Sequence, residues 1–314
     1  MSVMQEVHQV SSAEITRLKQ YYTSSLTSTP PGAVFRAKKN GTVVTAYRSG
    51  KVMFQGPHIQ SELARWHFTP QAAATTSHTS THRHATSQPL PTGFATWSVL
   101  GSDEVGTGSF FGPLTVAAVF VDRDHLDTVK ALGIQDSKKL TDPEIIKMAK
   151  QLITFLPYHV VNLMPDKYNQ LMARYHNQGQ LKALCHNLAL QKVLQKIQPT
   201  TPDAILIDQF VAPATYYRYL KGQPVILKDH VYFQIKGEQA HLAVAAASVL
   251  ARYVSLQVMD QLTEQAGITL PIGAGNAVDQ IAAKLLHRGL SLDQFAKVHF
   301  ANTQKAQAIA THLK

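Results

Sequence analysis

The run 97–122, WSVLGSDEVGTGSFFGPLTVAAVFVD, constrains this 314-residue chain more than any other stretch. Adjacent carboxylates, Asp103 and Glu104, close an apolar strand-like segment. The turn Gly106-Thr107-Gly108 follows, and a second apolar run starts after Gly112-Pro113. Acids abutting a buried strand are costly unless a partner or a cation compensates them. The fold must therefore bring compensating groups to this spot. Neighbours in a regular strand face opposite ways, so both acids share one site only if the backbone leaves the pleat there, as the glycines ahead permit.

The segments around this run predict an α/β (mixed α+β) domain. Residues 99–100 and 114–121 read as buried strands joined by the glycine turn, and 159–164 as a third. Residues 204–207 are continuously apolar and end in Asp208, while 225–227 and 232–235 form further short strands. Thr141-Asp142-Pro143-Glu144 starts a helix. A helical region over 166–197 is interrupted around Gly179, and an alanine-rich buried helix runs from Glu238. Strands and helices in this order indicate a mixed sheet flanked by helices.

Carboxylates at the ends of neighbouring strands converge, as sites in open α/β sheets do. Asp103, Glu104 and Asp208 have that placement, and Glu238, in the first turn of its helix, can reach the same spot. A cluster of oxygen ligands favours Mg²⁺ or Mn²⁺, two of which can flank a phosphodiester. Taken singly, Asp208 is equally a turn or cap residue and Glu238 an ordinary first-turn acid. Spacing leaves both readings open.

Upstream, residues 1–68 read as a small separate domain. Ser11-Ser12-Ala13-Glu14 is a capping box, Ile15, Leu18, Tyr21 and Tyr22 continue at helical spacing, and Pro30-Pro31-Gly32 stops the helix. Runs 34–38, 43–47 and 51–55, separated by Asn40-Gly41 and Ser49-Gly50, form a β-meander. Phe35, Ala37, Val44, Ala46, Val52 and Phe54 share one face. Arg36, Lys38, Thr45, Tyr47, Lys51 and Gln55 share the other, which suits a nucleic-acid backbone or a plain solvated surface. A short helix over 61–66 closes the domain. Residues 69–93, rich in Thr, Ser, Ala, His and Pro, read as a flexible linker; His78, His82 and His84 have no acid or cysteine beside them to complete a metal site.

A net charge of +10 and a pI near 9.6 favour polyanionic partners. One cysteine, Cys185, excludes an internal disulfide and fits a reducing compartment. No apolar run is expected to span a membrane and the N-terminus has no signal-peptide pattern, so a cytoplasmic protein is expected.

The segments GSDEVGTGSFFGPLTVAAVFVD, DSKKL, ILIDQF, KGEQAHLAVAAASVLAR and KVHFANT resemble, in this order, the type 2 ribonuclease H family, and within it the ribonuclease HIII branch. The resemblance covers about residues 94–305. It implies a ribonuclease H-like catalytic domain over 94–314, preceded over 1–68 by a TATA-box-binding-protein-like substrate-binding domain. It also implies a monomeric, metal-dependent endonuclease that cuts the RNA strand of RNA–DNA hybrids with Mg²⁺ or Mn²⁺ and leaves 5′-phosphate and 3′-hydroxyl ends. The family's acids fall on Asp103, Glu104, Asp208 and Glu238: the two aspartates bridge or flank the ions, and the glutamates complete their shells. Gly106, Thr107 and Gly108 would meet 2′-hydroxyls in the minor groove. Lys138 would contact a phosphate, and Arg36, Lys38, Tyr47 and Lys51 would bind substrate from the small domain. Gly-Thr-Gly, where the ribonuclease HII branch has Gly-Arg-Gly or Gly-Lys-Gly, favours HIII; Ser109 stands where an acid is expected. The rival readings are an HII-like enzyme that also cuts at single embedded ribonucleotides, and a hybrid-binding protein without chemistry. His299 either anchors the C-terminal segment or touches substrate.

Overall fold

The computed structural model describes residues 5–30, 33–47, 50–56, 59–66, 89–134 and 140–312. Two compact units, Met1–Ser80 and Thr81–Lys314, divide the chain. The greater part of the expected linker, and Lys138, lie outside the described residues.

In the first unit, Ser11 caps α1 (Ser12–Tyr21). Its hydroxyl accepts the Glu14 N–H at 3.2 Å, and the Glu14 carboxylate accepts the Ser11 N–H at 2.8 Å. The helix stops at Tyr22, before the prolines expected to end it. A short 3₁₀ turn and strand β2 (Leu26–Thr27) intervene. Strands β3 (Ala33–Lys39), β4 (Thr42–Tyr47) and β5 (Lys51–Gln55) are the expected meander, with Asn40 and Gly41 at φ 50° and 77° in the first hairpin. An unforeseen strand, β1 (Gln5–Gln9), pairs with β5 and completes an antiparallel sheet of order β1-β5-β4-β3-β2. Its only apolar side chain, Val7, is 49% exposed, so no alternation marked it in the sequence. Phe35, Ala37, Val44, Ala46, Val52 and Phe54 are buried with Ile15, Leu18 and Tyr22 of the helical side. The closing helix, α2 (Ile59–Leu63), starts earlier than predicted.

The second unit is built on β6 (Val99–Val105), β7 (Leu114–Val121), β8 (Tyr158–Leu163), β9 (Ala204–Asp208) and β10 (Val231–Gln234), in sheet order β10-β9-β6-β7-β8. β9 runs parallel to β6 and β10, whereas β7 is antiparallel to β6 and β8. No strand forms over 225–227. In chain order the helices are α3 (Leu126–Ala131), α4 (Asp142–Leu152), α5 (Pro165–Tyr175), α6 (Gln178–Lys196), α7 (Pro213–Tyr219), α8 (Gly237–Ala240), α9 (Leu242–Ala266), α10 (Asn276–His287) and α11 (Asn302–Ala310). The break between α5 and α6 falls at His176-Asn177, with His176 left-handed and Asn177 capping α6; Gly179 lies inside the first turn.

Two apolar layers sandwich this sheet. Val99, Val119 and Leu206 pack with α9 on one face. Leu100, Val116 and Ile207 pack with α6 on the other. Gly101 permits the α9 contact, because a Cβ there would lie 2.5 Å from the backbone of Ala243 and Val244. Where the sequence reading expects no such run, α9 holds an 18-residue stretch with a mean hydropathy of 1.6, long and apolar enough by composition to cross a membrane. Here those side chains cover β6 and β7 instead.

Candidate active site

The acids sit toward the C-terminal ends of the interior strands β6 and β9, with a geometry that corrects the sequence reading. β6 continues to Val105 in unbroken register with β7, from Val99 opposite Val121 to Val105 opposite Thr115. Asp103 and Glu104 therefore lie within a regular strand rather than beyond its end, and they leave opposite faces. Asp103 shares the α9 face with Gly101 and is hydrogen-bonded to Ser248; the Glu104 N–H donates to its Oδ1 at 2.7 Å. Glu104 shares the α6 face with Ser102. There Lys182 Nζ contacts its Oε1, and His186 Nε2 lies 2.8 Å from its Oε2.

Asp208 ends β9 beside β6, and its Oδ1 accepts the Gly237 N–H at 2.8 Å. Glu238 belongs to the one-turn helix α8 and not to α9, a second correction. His241 interrupts the two: its extended backbone ends α8, and its Nδ1 accepts the Ala243 N–H to cap α9. Burial, opposed by a hydrogen bond to the Trp97 carbonyl, lowers the His241 pKa to about 4 and keeps the cap neutral.

These placements separate the acids electrostatically. Burial, reinforced by the charges of Asp208 and Glu104, pushes the Asp103 carboxyl up to about 7. Burial also raises Asp208, offset by the Gly237 N–H and reinforced by Glu104 and Glu238. Glu104 is equally subject to burial, yet His186 and Lys182 hold it below the ordinary carboxylate range. Asp103, Glu104 and Asp208 thus form one coupled set, and Glu238 joins it through Asp208. The side chains do not converge on a single point: among the described residues no three His, Cys, Asp or Glu form one ligand group. The donor set is nonetheless all oxygen and crowded, and among the described residues no ion pair reaches Asp103 or Asp208, which fits a hard divalent cation.

The glycine turn also divides its roles. Gly106, at φ 89°, is required by the backbone, since a Cβ would lie 2.2 Å from the Pro113 carbonyl oxygen. Gly108 faces open space, with nothing within 4 Å of an added Cβ. The Thr107 carbonyl accepts from Gln178 Nε2 at 3.1 Å, and its buried hydroxyl has no protein partner. Of the three, Gly108 is the point where another backbone can approach closely.

Sequence reasoning missed three residues that hold this site. Lys182 and His186 stand one helical turn apart on α6, an i,i+4 signal overlooked in an apolar helix. Lys297, in KVHFANT, is wholly buried, and its ammonium donates to the carbonyls of Ser109 at 2.8 Å and Gly112 at 2.7 Å. Burial lowers its pKa to about 7. It fastens the loop after the glycine turn to the C-terminal segment, where Gly112 N–H also donates to the Phe295 carbonyl. Lys297→Met should leave both carbonyls unpaired, cost about 2–3 kcal/mol in urea unfolding, and loosen the turn. His299 stacks on Tyr168 at 5.6 Å and meets Phe300 edge-on at 4.7 Å, so its place is in aromatic packing. Arg252 binds Asp142 and the Leu140 carbonyl, tying α9 to the exit of the DSKKL loop.

In the first unit, Arg36 on β3 and Tyr47 on β4 are half-buried, while Lys38 on β3 and Lys51 on β5 are exposed. Register places Arg36 opposite Thr45, and Thr45 opposite Met53. Between these neighbours Thr45 is only 2% exposed, so it contributes little to the open face where it was expected.

The second unit, a five-stranded mixed sheet with carboxylates on its central strands β6 and β9 and with α6 and α9 on its two faces, has the fold of a ribonuclease H-type nuclease domain, as comparison with known proteins shows. Residues 100–303 match the family described as Ribonuclease HII, and residues 5–79 match a domain of unknown function, DUF3378. Ribonuclease HIII of Limosilactobacillus fermentum is 61% identical over 284 residues, covering 90% of this chain and 91% of its own. Ribonuclease HIII of Leuconostoc mesenteroides is 52% identical over 98% of this chain and 100% of its own. The crystal structure of Bst-RNase HIII in complex with Mn²⁺ superposes with a TM-score of 0.70 at 40% identity, covering 99% of this chain and 100% of that one. The chain belongs to the ribonuclease HIII family, metal-dependent type 2 ribonucleases H that cleave the RNA of RNA–DNA hybrids.

Proposed function

We propose that this chain hydrolyses the RNA strand of RNA–DNA hybrids at the site formed by Asp103, Glu104 and Asp208, leaving 5′-phosphate and 3′-hydroxyl ends. The observation that carries this reading is the Asp103 carboxyl, pushed to about 7 by burial and by two neighbouring acids. Such crowding is unfavourable for binding a polyanion and is relieved by divalent cations. Asp103 and Asp208 would hold Mg²⁺ or Mn²⁺, with Glu104 and Glu238 completing the shells. A cation bound there acidifies water and neutralises charge on the phosphodiester.

The chain's own groups orient this site. The Gly237 N–H fixes Asp208, Ser248 and the Glu104 N–H fix Asp103, and Lys182 and His186 fix Glu104. Gly108 offers an unobstructed backbone to the minor groove, where 2′-hydroxyls distinguish RNA from DNA; Gly106 and Thr107 shape that approach, and Lys138 contributes a phosphate contact. The deciding experiment is hybrid cleavage with Mg²⁺ and Mn²⁺ titrated separately, beside a DNA duplex carrying one ribonucleotide. Cutting of the long hybrid alone is expected. Efficient cutting at the single ribonucleotide would overturn the HIII-type specificity, and no metal-dependent cutting of either would overturn the function.

The same reading makes residues 1–68 a TATA-box-binding-protein-like substrate-binding domain, 69–93 a linker and 94–314 the catalytic domain. The basic residues Arg36, Lys38 and Lys51, with Tyr47, supply its nucleic-acid face. Deleting residues 1–90 should weaken hybrid binding at least about tenfold at moderate salt, measured by fluorescence anisotropy. Unchanged affinity would reduce the domain to an appendage. A monomer working in the cytoplasm suits a chain whose one cysteine is buried and free.

A further inference from the structure

Both carboxylate oxygens of Glu104 are engaged by side chains, and both partners come from α6. Lys182 Nζ contacts Oε1, and the ammonium also sits 4.1 Å from the centre of the Phe210 ring. His186 Nε2 meets Oε2 at 2.8 Å, while its Nδ1 lies 2.8 Å from Ser102 Oγ on the strand that carries Glu104. The imidazole is fully buried and stacks on Phe210 at 5.1 Å and 26°. Phe210 follows Asp208 by two residues, so one aromatic ring braces both α6 side chains from the loop after the second acidic strand.

This arrangement answers a problem created by the pleat. Regular register sends Glu104 to the face opposite Asp103. A flexible glutamate leaving that face has several rotamers and reaches the cluster in few of them. We infer that Lys182 and His186 are positioning residues that select the Glu104 rotamer serving the Asp103–Asp208 site, and that the Lys182 charge sets how tightly that site binds divalent cations. The inference rests on the proposed reading that these acids hold the ions.

The two clamp residues act in opposite senses. The Lys182 ammonium competes with a cation for the same carboxylate. His186 is held on its other side by Ser102 and orients the ligand, as groups behind metal-binding carboxylates do. Lys182→Met therefore removes a competing charge and should tighten Mn²⁺ binding by about tenfold. His186→Phe keeps the stack on Phe210 but loses the donor to Glu104, and should weaken Mn²⁺ binding by about tenfold. Both variants should cleave hybrid more slowly at saturating Mn²⁺, because Glu104 loses one of two anchors.

The test is a Mn²⁺ titration of the full chain followed by electron paramagnetic resonance, with single-turnover cleavage and a thermal melt for each variant. Lys182→Arg should return Mn²⁺ affinity to within about threefold of the parent. If Lys182→Met does not fold, Lys182→Gln carries the same expectation. Unchanged or weaker Mn²⁺ binding on loss of the Lys182 charge overturns the inference, as does His186→Phe moving affinity in the same direction as Lys182→Met. If the parent chain itself neither bound Mn²⁺ nor cut hybrid, the proposed function would fail instead, a separate outcome.

Discussion

Asp103→Asn should abolish hybrid cleavage, by on the order of a thousandfold, and at the same time make the protein more stable above pH 7 in EDTA. The two effects have one cause. The Asp103 carboxyl titrates near 7 in the folded chain against 3.8 for an ordinary aspartate. Between those values the folded protein binds the extra proton, so stability falls as pH rises from about 4 to about 7, and the full cost is present above that range. A displacement of that size corresponds to at most about 4 kcal/mol. Asparagine keeps the shape, can accept from the Glu104 N–H through its amide oxygen, and carries no charge to desolvate. Thermal melts of parent and variant in EDTA should coincide near pH 4 and separate by several degrees at pH 8. Saturating Mn²⁺ should stabilise the parent far more than the variant. Equal melting temperatures at pH 8 would show that Asp103 carries no such burden, and full-rate cleavage by Asp103→Asn would remove it from the chemistry.

The next largest expected effect separates two glycines that look equivalent in the sequence. Gly106→Ala must place a Cβ 2.2 Å from the Pro113 carbonyl oxygen at φ 89°, a backbone region that L-residues rarely adopt. Neither the strand end nor the opposing β7 entry can yield, because Val105 and Leu114 are fixed in sheet pairs. We expect a loss of roughly 2–4 kcal/mol in urea unfolding. Gly108→Ala meets nothing within 4 Å and should melt like the parent. If Gly108 meets the minor groove as proposed, its added methyl should raise KM for hybrid several-fold with little change in stability. A Gly108→Ala variant that unfolded early, or a Gly106→Ala variant as stable as the parent, would reverse these assignments.

Much of the chain could be read in advance wherever periodicity was strong. The capping boxes at Ser11 and Thr141, the meander around Asn40-Gly41 and the buried runs of β7 and β9 follow from local chemistry. β1 was not legible, because QEVHQ becomes a strand only through pairing with β5. The run 225–227 failed the other way: apolar residues without a neighbouring strand to pair with remain irregular. The α8–α9 break was hidden as well, since His241 acts as a cap only once Trp97 and the buried helix start surround it.

For the candidate site, the sequence by itself supplied the candidates: Asp103, Glu104, Asp208 and Glu238, the glycine turn, and a chain order that places two acid-bearing strands in one domain. Tertiary structure decided how these groups are used. Regular register put Asp103 and Glu104 on opposite faces, burial beside Asp208 raised Asp103, and α6 supplied Lys182 and His186 to keep Glu104 charged. Contact with Pro113 made Gly106 a backbone requirement and left Gly108 open. The physical reason is range. Residue type, turn preference and apolar period act over a few positions, whereas desolvation and charge compensation depend on groups about eighty residues away that only folding brings within 3 Å.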